Sequence, residues 1–258
     1  MKTILFACML IAAGSNISGQ SISRNVIASA GGTFTSTAGQ INYNIGETII
    51  TSLTAGSIMI TQGFEQPAES RLNLKLYLQG YYVDGGIMQP VLLNQGLAAL
   101  ATETDTITVE LHHAENFALL DSKKAVLLTD GTVSVNFNQP EGTYYIAVKH
   151  RNTIQTWSAN AVMCTANTAL YNFSNASTQA MGDNQVLLQS GVWGMYTGDL
   201  NQDDFIDGND FPVLDNDAFN GVAFEYVATD LNGDGFVDSN DFPVFDNNSY
   251  NGVAAVHP

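Results

Sequence analysis

Two stretches near the C-terminal end hold the residues best suited to chemistry: DLNQDDFIDGND over 199–210 and DLNGDGFVDSND over 230–241. Matched to a twelve-residue cation loop, each puts an oxygen-bearing side chain at loop positions 1, 3, 5, 9 and 12. In the first copy these are Asp199, Asn201, Asp203, Asp207 and Asp210; in the second, Asp230, Asn232, Asp234, Asp238 and Asp241. The backbone carbonyls of Phe205 and Phe236 fall at position 7, where such a loop uses a main-chain oxygen. A set of hard oxygen donors, with no histidine or cysteine among them, suits calcium, so the pattern predicts two Ca2+ sites. Four carboxylates around one point repel one another without a cation, so binding is expected to be coupled to folding. Position 6 needs a bend that glycine makes easily; Gly235 supplies it in the second loop and Asp204 stands there in the first, which predicts a weaker first site. Ile206 and Val237 at position 8 are apolar, as expected if the two loops pair with each other through a short β contact.

The loops belong to a duplication. Residues 199–223 and 230–254, offset by 31, share seventeen of twenty-five positions, too many for composition alone. Each loop runs into a helical pattern, 209–219 and 240–250, with Pro212 and Pro243 in the first turn, where a missing N–H is harmless. Asn220-Gly221 and Asn251-Gly252 are expected to stop the helices. No helix precedes either loop, and position 12 is Asp rather than Glu. A loop followed by a helix, twice over, resembles type I dockerin modules. That resemblance implies a compact α module over 198–258 with one calcium on Asp199, Asn201, Asp203, Asp207 and Asp210 and another on Asp230, Asn232, Asp234, Asp238 and Asp241. It also implies a protein partner of the cohesin kind. Docking positions depart from the family: Gly208-Asn209 and Ser239-Asn240 stand where Ser-Thr is common, and Asp215-Asn216 and Asp246-Asn247 where basic residues are.

The 258-residue chain carries a formal charge of −17, concentrated at this end: from Asp199 onward there are thirteen acidic residues and no Lys or Arg. Nucleic acid is therefore excluded as a partner, and an anionic membrane surface is disfavoured. Lys2, an apolar run over 4–13 too short to span a bilayer, and small polar residues to Gly19 read as an export signal over 1–20. This predicts a secreted or cell-surface protein. Beyond the signal, Cys164 has no partner and is expected to be a buried thiol.

The elements that must position the loops read as β. Over 21–68 the composition is rich in Gly and Thr, and INYNI (41–45) and SIMITQGF (57–64) alternate, which predicts a small β unit, with a linker about Pro67. Over 71–196 the alternations Leu72, Leu74, Leu76, Leu78; Ile107, Val109, Leu111; Val133, Val135, Phe137; and Tyr144, Ile146, Val148 predict an antiparallel β-sandwich of immunoglobulin-like size, with further strands at 125–129, 168–173 and 192–197. The fold class is thus mainly β: a small β unit and a sandwich, followed by the small α module.

Enzymatic chemistry finds no motif. His112 and His113 are neighbours on a predicted strand and point to opposite faces, and no metallohydrolase, nucleophile-elbow or phosphate-loop pattern occurs. The acids Asp84, Glu110, Glu115, Asp121 and Glu141 are read as surface groups. Trp157, in the polar stretch 152–160, is the aromatic best placed to stack on a sugar ring. The leading expectation is a non-enzymatic, calcium-binding attachment or assembly protein. The alternative is a glycan-binding accessory, or a hydrolase component, of polysaccharide degradation. The whole arrangement also resembles exported proteins of Gram-negative bacteria, carried by SAGGTFTSTAGQINYNIGE, VKHRNTIQTWSA and GDLNQDD; that likeness implies a surface or matrix role.

Overall fold

The computed structural model describes residues 30–36, 39–45, 52–55, 58–61, 70–97, 99–165 and 169–258. The expected export signal and the linker at Pro67 lie outside them. The chain divides into two compact units, Met1–Gln66 and Pro67–Pro258. The first contains two antiparallel hairpins, β1 (Ala30–Ser36) with β2 (Gly39–Ile45) and β3 (Ser52–Ala55) with β4 (Ile58–Thr61). The alternation of INYNI falls within β2; of SIMITQGF, residues 58–61 form β4 and the rest lies outside the described residues.

In the second unit β5 (Ser70–Lys75) leads into a small ribbon, β6 (Tyr82–Asp84) and β7 (Ile87–Met88), and then a single helical turn, α1 (Val91–Asn94). There follow β8 (Glu103–His113), β9 (Leu119–Leu128), β10 (Thr132–Phe137), β11 (Gly142–His150), β12 (Thr153–Trp157), β13 (Val162–Cys164) and β14 (Ala169–Asn172). A second ribbon, β15 (Val186–Gln189) with β16 (Val192–Gly194), precedes the helices α2 (Phe211–Asn220) and α3 (Phe242–Tyr250).

Two sheets enclose the main core, one ordered β10-β5-β14 and the other β12-β11-β8-β9 with β13 also on β11. Period-two alternation sends Leu72, Leu74, Val133, Val135 and Phe137 inward from the first, to meet Ile107, Val109, Leu111, Tyr144, Ile146 and Val148 from the second, all buried. Each such side chain contributes roughly 1.5–3 kcal/mol through removal from water. Cys164 lies in this core as a buried free thiol, and burial pushes its pKa up to about 11. One strand departs from the expected antiparallel plan: β14 runs parallel to β5. Its predecessor β13 pairs with β11 of the opposite sheet, so no tight hairpin to β5 constrains its direction.

The helices end where expected, with Gly221 in the left-handed region at φ 64° after α2 and Gly252 at φ 62° after α3. Leu214 and Phe245 turn inward to a second core with Ile206, Leu231 and Val237, and Ile154 of β12 completes it. The sandwich therefore supplies part of the core of the repeat. Asn248 of α3, fully buried, adds a polar anchor by donating to Gln79 Oε1 at 2.6 Å and to the Thr197 carbonyl at 2.7 Å.

Candidate metal centre

The two loops fold by the same local rules. At position 12, Asp210 accepts the amides of Leu200, Asn201 and Asp207 at 2.7, 3.0 and 3.0 Å, and Asp241 accepts those of Leu231, Asn232 and Asp238 at 2.7, 3.0 and 2.9 Å. At position 1, Asp199 takes the amides of Asp203 and Asp204, and Asp230 those of Gly233 and Gly235. Asn201 and Asn232, Asp203 and Asp234, and Asp207 and Asp238 each accept the amide two residues on. Short polar side chains bending their own backbone in this way are what makes Asp and Asn loop formers.

All four end carboxylates are removed from solvent: Asp199 and Asp230 are 1 % exposed, Asp210 and Asp241 0 %. None of them is paired with Lys, Arg or His among the described residues. Burial pushes the Asp199 carboxyl up to about 6, with the Asp210 charge adding to it, and burial pushes Asp241 up to about 7. Asp230 is raised by burial, against which the Gln95 hydrogen bond acts. Each loop thus holds buried negative charge that a cation would relieve. Among the described residues no three acidic, histidine or cysteine side chains form a finished metal cage. The carboxylates are turned onto loop amides, which leaves lone pairs free because each accepts one to three hydrogen bonds of about four it can take. An oxygen-only, charge-rich donor set of this kind fits calcium.

The loops do not pair with each other, contrary to expectation. Phe205 of the first bridges Ala254, after α3, and Phe236 of the second bridges Ala223, after α2. Matching hydrogen bonds run from Ile206 N to the Val253 carbonyl at 2.8 Å and from Val237 N to the Val222 carbonyl at 2.9 Å. Each loop is therefore closed by the tail of the other copy. The apolar position 8 that suggested loop pairing instead feeds the shared core.

What lies outside each loop differs. Against the first is the C-terminal tail, where Ala255 N donates to the Asp204 carbonyl at 2.8 Å and His257 Nε2 sits 3.2 Å from Asp204 Oδ2. Against the second is the sandwich, where Asn94 Nδ2 donates to the Gly233 carbonyl and Gln95 Nε2 to Asp230 Oδ2, both at 2.7 Å. Behind Gln95 lies a buried polar cluster that the sequence reading missed. Arg151 donates to Gln95 Oε1 at 2.8 Å, to Tyr81 Oη at 2.9 Å and to Asp105 Oδ2 at 2.8–2.9 Å. Asp105, 0 % exposed, also meets His150 Nε2 at 3.0 Å and accepts from Tyr226 Oη at 2.8 Å. Burial alone would raise the Asp105 carboxyl, but the His150 hydrogen bond and the charges beside it hold it far below the ordinary carboxylate range. The adjacent His150-Arg151 pair at the end of a strand was the available signal; Asp105 gave none.

Trp157 offers no platform for a sugar. It lies on β12 at 6 % exposure, its ring 4.2 Å from that of His112 with the His257 ring 6.1 Å away, whereas stacking needs an open face. Glu110 is likewise buried rather than solvated, held by Lys149 at 3.2 Å and His112 at 3.2 Å. His112 and His113 do point to opposite faces, the first buried and the second partly exposed.

No family model matches the chain. No curated protein matches it. Among solved structures it is similar to a C-terminal interface mutant of a type II Cohesin-X-Dockerin complex from Acetivibrio cellulolyticus, at 16 % identity and TM-score 0.42, over 70 % of this chain and 95 % of that one. An N-terminal interface mutant of the same kind of complex matches at 17 % and 0.38, over 70 % and 93 %. A structure described as S.CueP matches at 12 % and 0.25, over 47 % and 68 %. At such scores the likeness carries no argument about fold or partner, and the functional reading rests on the loops.

Proposed function

We propose that the C-terminal repeat is a dockerin-like module that holds two calcium ions, and that it serves attachment or assembly in an exported protein. The observation that carries the calcium reading is the repeated pair of buried carboxylates, Asp199 with Asp210 and Asp230 with Asp241, in an arm of the chain that has no Lys or Arg. Asp199, Asn201, Asp203, Asp207 and Asp210, with the Phe205 carbonyl, would hold one ion; Asp230, Asn232, Asp234, Asp238 and Asp241, with the Phe236 carbonyl, the other. Calcium would supply the positive charge that lets four carboxylates share one loop. Phe219 and Tyr250, at matching places in the two copies and 89 % and 92 % exposed, support a role in contacting another protein. The acidic surface around them favours a partner with a basic face.

At extracellular millimolar calcium and a micromolar dissociation constant, occupancy would add about 4 kcal/mol per site by mass action. Chelation is therefore expected to lower Tm and expose 199–258 to protease, and calorimetric titration of the chelated protein to return two ions per chain. Unchanged melting and proteolysis after chelation would sink the reading.

A further inference from the structure

The two loops differ at four positions, 4, 6, 8 and 10, and two of these are explained by what touches them. Position 4 is Gln202 in the first loop and Gly233 in the second; position 6 is Asp204 and Gly235. All four residues have positive φ, at 59°, 75°, 71° and 93° in that order, so backbone shape alone does not separate the copies. Space does. A Cβ on Gly233 would stand 2.4 Å from Val91 Cγ2 and 2.9 Å from Tyr81, and one on Gly235 would stand 2.5 Å from the Asn94 carbonyl oxygen. In the first loop the same positions have room for side chains, and Gln202 folds back to donate to the Asp199 carbonyl. The second loop is thus cut to fit against the turn 90–95 of the sandwich.

That turn ends in Gln95, 2 % exposed. Arg151 has only donors, so the Gln95 oxygen must face it and the Gln95 nitrogen must face Asp230. The chain of contacts runs from the first ligand position of the second loop through Gln95 to Arg151, and from there to Asp105 and His150. Among the described residues the first loop has no counterpart: there Asp199 accepts only amides of its own loop.

We infer that Gln95 is a positioning residue of the sandwich that orients Asp230 for the second calcium, so that this site is tightened by the sandwich while the first is not. The inference rests on the calcium reading proposed above. Outer-shell partners of this kind commonly change metal affinity by about 10–100-fold. The second site would then be the tight, structural one, whose occupancy holds the module to the sandwich, and the first the exchangeable one.

The test uses the full chain with one loop disabled at a time, by Asp199→Ala with Asp210→Ala or by Asp230→Ala with Asp241→Ala, and calcium titrated calorimetrically into each. Gln95→Met keeps length and removes both hydrogen bonds; Gln95→Asn keeps the amide and the charge but is one methylene too short to reach both Arg151 and Asp230. Either is expected to weaken the second loop by about 10-fold or more and to leave the first within about 2-fold. If Gln95→Met does not fold, Gln95→Asn alone decides. Wild-type loops that both bind, with the second unmoved by either substitution, would overturn the positioning role and leave the calcium reading standing. An equal loss at both loops would also overturn it, as general destabilisation. No binding at either wild-type loop would remove the calcium reading itself.

Discussion

The first and second loops share most of a twelve-residue hydrogen-bond pattern, differing in the amides that position 1 accepts, yet one faces the eight-residue tail after α3 and the other a folded sandwich. Their common part is what a short segment can build alone, since every bond in it joins residues no more than ten apart. Their difference is recorded in the substitutions: Gln202 and Asp204 where there is room, Gly233 and Gly235 where Val91, Tyr81 and Asn94 press on the backbone. Divergence between two copies thus reports what each copy is packed against. It also revises the reading of Asp204 as a flaw in the first loop, because glycine at position 6 of the second answers to packing as well as to the bend.

The largest expected effect on this contrast comes from behind the second loop. Asp105→Asn leaves Arg151 buried without its carboxylate, which should cost about 3–5 kcal/mol. Hydrogen exchange is expected to rise first over 230–241, with 199–210 less affected; equal loosening would break the contrast. The pH dependence has a definite sign. The Asp105 carboxyl is held below its unfolded value, so its contribution is fully present above about pH 4 and is lost as the pH falls further, through the folded pKa. The Tm gap between wild type and Asp105→Asn should therefore narrow in acid and stay constant from pH 5 to 8.

Exchanging residues between the copies sharpens the comparison at smaller scale. Gly235→Asp, which copies the first loop into the second, places a Cβ 2.5 Å from the Asn94 oxygen at φ 93°. Overpacking and backbone strain together predict a loss of about 3 kcal/mol by chemical denaturation. The reverse change, Asp204→Gly, relieves a non-glycine residue at φ 71° and removes a half-exposed contact to His257 worth under about 1 kcal/mol. Its net effect is expected to stay within about 1 kcal/mol of wild type. Comparable costs in both directions would show that packing does not distinguish the loops.

Much of this was legible beforehand, for local reasons. The leucine alternation from Leu72 to Leu78 does mark a buried row, and all four leucines are at most 1 % exposed. The helices, their prolines and their glycine stops fall within two residues of expectation. Strand β12, by contrast, reads TIQTW, a polar pattern with no strand signal, yet its Thr and Gln are buried beside β11 and the repeat rather than facing water. The polar surroundings of Trp157 suggested exposure for the same reason. Sequence pattern assumes that polar neighbours mean solvent, and that assumption fails where two folded parts of a chain meet.

The sequence by itself determined the two loops, the polar side chains that bend them and their helices, since these depend on side chains and amides within a dozen residues. It also set the alternation that makes each strand two-faced. Only the tertiary structure decided that each loop is closed by the other copy's tail, that the second rests on the sandwich, and that Asp105 is buried with His150 and Arg151. Those contacts join residues 45 apart in Asp105 to His150, 121 in Tyr226 to Asp105 and 135 in Gln95 to Asp230. Over such separations no local preference specifies a partner, and the choice falls to the packing of the whole unit.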